Sequence, residues 1–140
     1  LLHGDFNLNN IVYDHTAQRI HYIDLHRSRE GDYAQDTAVF LASSFRLPFF
    51  DLRLRGQFEL VMRRFLEFAR TFAADQNDTT FEARLTVAVA RALATSARFE
   101  VNRPFAQELF HRGIYLLTRV VAHAGRPWET LAFPDSVLVY

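Results

Sequence analysis

The stretch His3-Gly4-Asp5-Phe6-Asn7-Leu8-Asn9-Asn10-Ile11-Val12-Tyr13-Asp14 decides how this chain is read. It sets a carboxylate, Asp5, and an amide, Asn10, five positions apart, directly before a short β-branched and aromatic run. That run predicts a strand over Ile11 to Asp14. Asp14-His15-Thr16-Ala17-Gln18 follows as a turn, and Arg19 to Asp24 returns as the partner strand, so a hairpin is expected. Such a hairpin carries Asn10, at the start of one strand, close to Asp24, at the end of the other. Two oxygen donors that meet in this way suit a hard cation.

Working outward, Leu25 to Tyr33 is polar and charged and reads as a loop. Ala38, Leu41, Ala42 and Phe45 then recur at helical spacing, predicting a helix from Ala34 to Phe45 that Pro48 terminates. A second helix is expected from about Asp51 to Phe72, with Phe58, Val61, Met62, Phe65, Ala69 and Phe72 on one stripe. Thr79 followed by Glu82 matches a capping box and opens a third helix to about Phe99, whose stripe is Leu85, Ala88, Val89, Ala92, Leu93, Ser96 and Phe99. Asn102 and Pro104 start a fourth helix ending near Gly125, with Leu109, Leu116, Leu117, Val120, Val121 and Ala124 inward. The tail from Arg126 carries two prolines; Val137 to Tyr140 is its candidate strand. The expected class is therefore α+β, mostly α. A single domain spans 1–140: loop, hairpin and second loop over 1–33, a helical bundle over 34–125, and a tail over 126–140.

Composition narrows the function classes. The 140 residues are enough for one real core, and with 49% apolar residues and 14 phenylalanines disorder is not expected. Sixteen basic and sixteen acidic residues cancel, which gives no electrostatic case for nucleic acid or an anionic membrane. No apolar run approaches the roughly 20 residues that span a bilayer. Cysteine is absent, which removes disulfides and thiolate metal sites and is compatible with the cytoplasm, the expected location.

The motifs carry a resemblance. His3-Gly4-Asp5 with Asn10 is similar to the His-Gly-Asp-x-x-x-x-Asn catalytic loop of the aminoglycoside phosphotransferase/choline kinase-like family, distant relatives of protein kinases. Ile23-Asp24-Leu25 resembles that family's metal-binding aspartate segment, and Gly31-Asp32 with Asp36 resembles its Gly-Asp-x-x-x-Asp stretch. The likeness covers about the first 45 residues well and the remainder in outline. It implies a kinase-like C-terminal lobe that transfers the γ-phosphate of ATP, with Mg²⁺, to a hydroxyl of a small molecule. By the same resemblance Asp5 is the catalytic base, Asn10 and Asp24 hold Mg²⁺, and His3 and Asp36 support the loop. Asp36 reads equally well as an acid placed at the positive end of its own helix. Arg27 and Arg29 are weaker candidates for phosphate or substrate contact, since a guanidinium forks onto phosphate oxygens.

Other readings of the same residues remain. Asp and Asn in a short stretch also make turns. His21, Asp24 and His26, with His3 as a further ligand, could form a histidine–carboxylate metal site, although His21 and Asp24 would point to opposite faces of a strand. The run Asp24-Leu25-His26-Arg27 resembles lipopolysaccharide core sugar kinases, making a sugar or lipid-linked acceptor the second substrate class. A non-catalytic kinase-like binding module is the alternative outside enzymes.

The family's glycine-rich loop, strand lysine and helix glutamate precede the catalytic loop. Here every basic residue is arginine, and the chain opens on Leu1-Leu2-His3. The expectation is a fragment whose N-terminal lobe is missing and which is inactive alone. Apolar surface near the hairpin is then left open to a partner or to self-association.

Overall fold

The computed structural model describes residues 1–48 and 51–139. Strands β1 (Ile11–Asp14) and β2 (Arg19–Tyr22) form an antiparallel hairpin, followed by helices α1 (Ala34–Phe45), α2 (Leu52–Asp75), α3 (Phe81–Ala97) and α4 (Arg103–His123). The class is α+β and mostly α, with one small two-stranded sheet. No described helix is long and apolar enough to cross a membrane.

Local chemistry explains most element boundaries. In the hairpin turn the Asp14 carboxylate accepts from the amides of Thr16 and Ala17 at 2.8 and 3.0 Å, and Gln18 takes φ 50°. Asp51 caps α2 by accepting from the Leu54 amide at 2.9 Å, and Asn102 caps α4 through the Phe105 amide at 3.2 Å. Caps of this kind each contribute about 1 kcal/mol.

The core lies where α3 packs between α1 and α4, with α2 laid on α1. Leu41 and Phe45 of α1, Leu85, Val89 and Leu93 of α3, and Leu109 and Leu116 of α4 are fully buried. Burying a side chain such as Phe45 contributes about 2–3 kcal/mol. Gly113 allows α4 to approach α3 closely, because a Cβ there would stand 3.0 Å from the Ala90 carbonyl oxygen.

Several expectations are corrected. The Thr79–Glu82 capping box does not form: α3 begins at Phe81, and its N-cap Thr80 makes no side-chain cap bond. Glu82 turns instead to Arg70 of α2, at 2.7 and 3.2 Å, and accepts the Phe133 amide at 2.9 Å. A charge-assisted fork outweighs one local cap bond. Arg70 also binds Asp135 at 2.8 Å, so this arginine ties the tail to α2 and α3 and is held even more firmly protonated than usual by the two carboxylates. The tail folds as 3₁₀ turns over Trp128–Thr130 and Asp135–Leu138; Val137 and Leu138 belong to the second turn and not to a strand, and Tyr140 lies outside the described residues. The inward stripes of α2 and α4 are narrower than expected. Met62, Leu66, Ala69 and Ala73 are buried on α2, whereas Val61, Phe72, Leu117 and Val121 are exposed. A helix covered on one side buries only part of a wide apolar stripe.

Candidate functional site

Three separate segments meet at the start of the chain. The Asp36 carboxylate, in the first turn of α1, accepts from the His3 amide at 2.6 Å and the Gly4 amide at 3.0 Å. The His3 ring reaches the Ile23 carbonyl oxygen through Nε2 at 2.9 Å. With that nitrogen donating, Nδ1 is left to accept, and the Asp5 amide lies 3.4 Å from it. The Ile23 amide donates to the Asn10 carbonyl at 3.0 Å, extending the ladder one step beyond the Ile11–Tyr22 pair. Asn10 and Asp24 therefore flank the open end of the hairpin.

Gly4 is required by two independent constraints. Its φ is +84°, a region open chiefly to glycine, and a Cβ would sit 2.3 Å from the Arg27 carbonyl oxygen. The loop is also anchored by Phe6, whose ring lies 5.6 to 5.9 Å from those of Tyr22, Phe40 and Phe65. Sequence reading missed this residue, because a lone Phe in a polar loop has no periodic signal.

The Asn10 side chain donates through Nδ2 to the Asp5 carbonyl at 2.8 Å, which turns Oδ1 to the other side. Asp24 sits in the left-handed region, φ 60° and ψ 46°, with one carboxylate oxygen 2.6 Å from His26 Nδ1. Asn10 Oδ1 and the second Asp24 oxygen are a neutral and a charged oxygen, the donor types that Mg²⁺ accepts alongside phosphates and water. Among the described residues no group of three or more His, Cys, Asp or Glu is placed to hold a metal ion. The alternative set of His3, His21, Asp24 and His26 is therefore not assembled.

Asp5 differs from the open carboxylate expected of a waiting base. Its Oδ1 accepts from Asn7 Nδ2 at 3.0 Å, and its Oδ2 faces Arg27 Nη1 at 3.5 Å. Arg27 in turn donates from Nε to His26 Nε2 at 3.3 Å, completing a chain of side chains from Asp24 through His26 and Arg27 to Asp5. Arg29 is not part of it: its backbone pairs with Leu2 and its guanidinium reaches Gln35 at 3.4 Å. A cavity of about 480 Å³ opens beside Asp5, walled by the Gly4–Asn9 loop, the end of α1 and the last turns of α3.

A half-buried ionic cluster mounts this site on the helices. Asp32 accepts the Ala34 amide at 3.0 Å and Arg84 Nε at 2.7 Å, and Arg84 also grips Asp78 at 2.7 Å. Tyr33 donates its hydroxyl to Asp78 at 2.5 Å. The Arg84 guanidinium, helped by the Tyr33 hydroxyl, holds the Asp78 carboxyl well below the usual carboxylate range. Burial, with the Asp78 charge adding to it, pushes the Tyr33 phenol up to about 12. Asp32 thus fastens the front of α1 to α3, and Asp36, one turn later, fastens the loop to α1. Arg84, Asp78 and Asn7 were not found from the sequence; only Asn7, two positions after Asp5, carries a local signal, that of an Asx-type contact. Comparison with protein-family models, curated proteins and solved structures finds no match for this chain.

Proposed function

We propose that this chain is the catalytic-loop lobe of a phosphotransferase of the aminoglycoside phosphotransferase/choline kinase-like type, acting on a hydroxyl of a small molecule. The observation that carries this reading is the convergence of the three motif segments through the Asp36, His3, Ile23 and Asn10 hydrogen bonds. A set of unrelated turns has no physical need to bind one another over 33 residues of sequence.

In this reading Asp5 accepts the proton of the attacking hydroxyl. The acceptor oxygen forms a bond to the γ-phosphorus of ATP, the bond from that phosphorus to the β–γ bridging oxygen breaks, and ADP leaves with the electron pair. Asn7 fixes the orientation of the Asp5 carboxylate, and Arg27 must release it or be displaced when substrate enters. Asn10 and Asp24 would hold Mg²⁺, which when bound neutralises charge on the phosphate oxygens. The chain has no lysine, so a phosphate-pairing lysine would come from sequence beyond these residues or from another chain. Tyr13, Ile20 and Tyr22, exposed on one face of the hairpin, are where such a part would pack.

The test on the chain itself uses Mn²⁺ as a paramagnetic stand-in for Mg²⁺. Amide signals of residues 5–10 and 23–26 broaden first, and Asp24→Asn removes the effect while leaving stability within about 0.5 kcal/mol. Broadening centred elsewhere, or unchanged by the substitution, refutes the metal assignment. Where the lobe is joined to its nucleotide-binding part, Asp5→Asn lowers turnover by about 10²–10⁴.

A further inference from the structure

We infer that the cavity beside Asp5 receives an anionic polyol, such as a sugar phosphate, and excludes polyamine sugars; the inference rests on the phosphotransferase reading above. The cavity is of ligand size and is lined by two guanidinium groups, Arg27 and Arg46, against one carboxylate, Asp5. That carboxylate is already shared with Arg27. A polycation entering here meets net positive charge, whereas an anion is attracted to it.

Arg46 is the decisive residue. It follows α1 directly, and its Nε is buried without a hydrogen-bond partner. Among the described residues it makes no ion pair, whereas Arg70, Arg84 and Arg112 each bind a carboxylate. Arg119, the other arginine with a buried unpartnered Nε, lies over the Tyr115 ring. A cation at a helix C-terminus interacts favourably with the helix dipole, but that role is met from solvent and does not require a buried nitrogen. The buried Nε is itself out of a ligand's reach, but the Arg46 guanidinium stands in the cavity wall with no carboxylate partner among the described residues, and its terminal nitrogens can fork onto a bound phosphate or carboxylate.

The rest of the wall suits hydroxyl groups. Ser43 and Thr95 donate their own protons to the carbonyls of Phe40 and Arg91, so both face the cavity as acceptors for ligand hydroxyls. Phe99 supplies an apolar side on which a sugar ring can rest. Asp5 stands in the same wall, so an acceptor anchored through its charge can turn a hydroxyl toward the base.

The experiment is calorimetric titration of the chain at low salt with glucose 6-phosphate, glucose, inorganic phosphate and kanamycin, without nucleotide or metal. Glucose 6-phosphate is expected to bind at least about tenfold more tightly than glucose or inorganic phosphate, with kanamycin not binding. Arg46→Gln abolishes that preference. Thr95→Glu, at an exposed helix position that leaves the fold intact, does the same by adding a competing charge. Tighter kanamycin binding, equal affinity for glucose or for inorganic phosphate, no binding of glucose 6-phosphate at about 20 mM, or a preference that survives both variants overturns the inference. Because metal is absent, failure here leaves the Mn²⁺ result untouched. Failure of the Mn²⁺ test likewise leaves the anion-binding cavity standing.

Discussion

Removing the Asp36 carboxylate should loosen the His3–Asn10 loop while leaving the helical core folded. Asp36→Ala deletes the acceptor for the His3 and Gly4 amides, at 2.6 and 3.0 Å. Hydrogen bonds to a charged acceptor contribute about 1.5–3 kcal/mol each, which sets a ceiling near 6 kcal/mol. Asp36 is only half-buried, so water replaces part of that loss. Removing an acid from the first turn of α1 adds about 0.5 kcal/mol. The expected destabilisation is therefore about 2–4 kcal/mol, a large share of the roughly 5–15 kcal/mol of an ordinary domain. Asp36→Asn should lose less, about 1–2 kcal/mol, because its remaining oxygen still accepts one amide. Urea unfolding reads the change as a lower midpoint at unchanged slope. Hydrogen exchange locates it: the His3 and Gly4 amides should lose protection, whereas Leu85 and Val89 in the core should lose only what the global change requires. An Asp36→Ala variant within about 0.5 kcal/mol of the parent, with both amides still protected, would refute the view that this carboxylate holds the loop.

Two further outcomes follow from particular contacts. Gly4→Ala is expected to cost at least about 2 kcal/mol by urea unfolding, since a left-handed backbone is combined with a Cβ 2.3 Å from the Arg27 carbonyl oxygen; a cost below about 0.5 kcal/mol would contradict the close approach. The Tyr33–Asp78–Arg84 cluster should shape the pH dependence of stability at both ends. Asp78 is depressed in the folded state, so its contribution is present above the ordinary carboxylate range and is lost as pH falls below it. Tyr33 is raised to about 12, so its contribution is present below the ordinary phenol value near 10 and is lost as pH rises from there. Asp78→Asn should flatten the acid limb and Tyr33→Phe the alkaline one, measured by urea unfolding from pH 2 to 11; limbs unchanged by these substitutions would show that other groups dominate.

The sequence by itself determined the parts of this protein whose causes are local. The hairpin, the Ala34–Phe45 helix and the caps at Asp51 and Asn102 follow from side chains that act within a few positions of themselves. A short motif singled out Asp5, Asn10, Asp24 and Asp36, and the fold draws the segments that carry them together through the Asp36, His3, Ile23 and Asn10 hydrogen bonds. Tertiary structure decided what depends on distant partners. Glu82, which has the sequence signature of a capping residue, is drawn away by Arg70 of α2 and by the Phe133 amide. Hydrophobic periodicity gives the direction of a helix's apolar face but not how much of it a neighbour covers, so Val121 is exposed where Leu116 is fully buried. The tail, without periodicity, acquires its place from Arg70 and from Arg112, which donates to the Val137 and Val139 carbonyls at 2.7 and 2.9 Å. Whether an arginine is paired is also a matter of what the fold sets beside it: Arg84 reaches Asp32, 52 residues away, while Arg46 lines the cavity beside Asp5 without an acid of its own among the described residues.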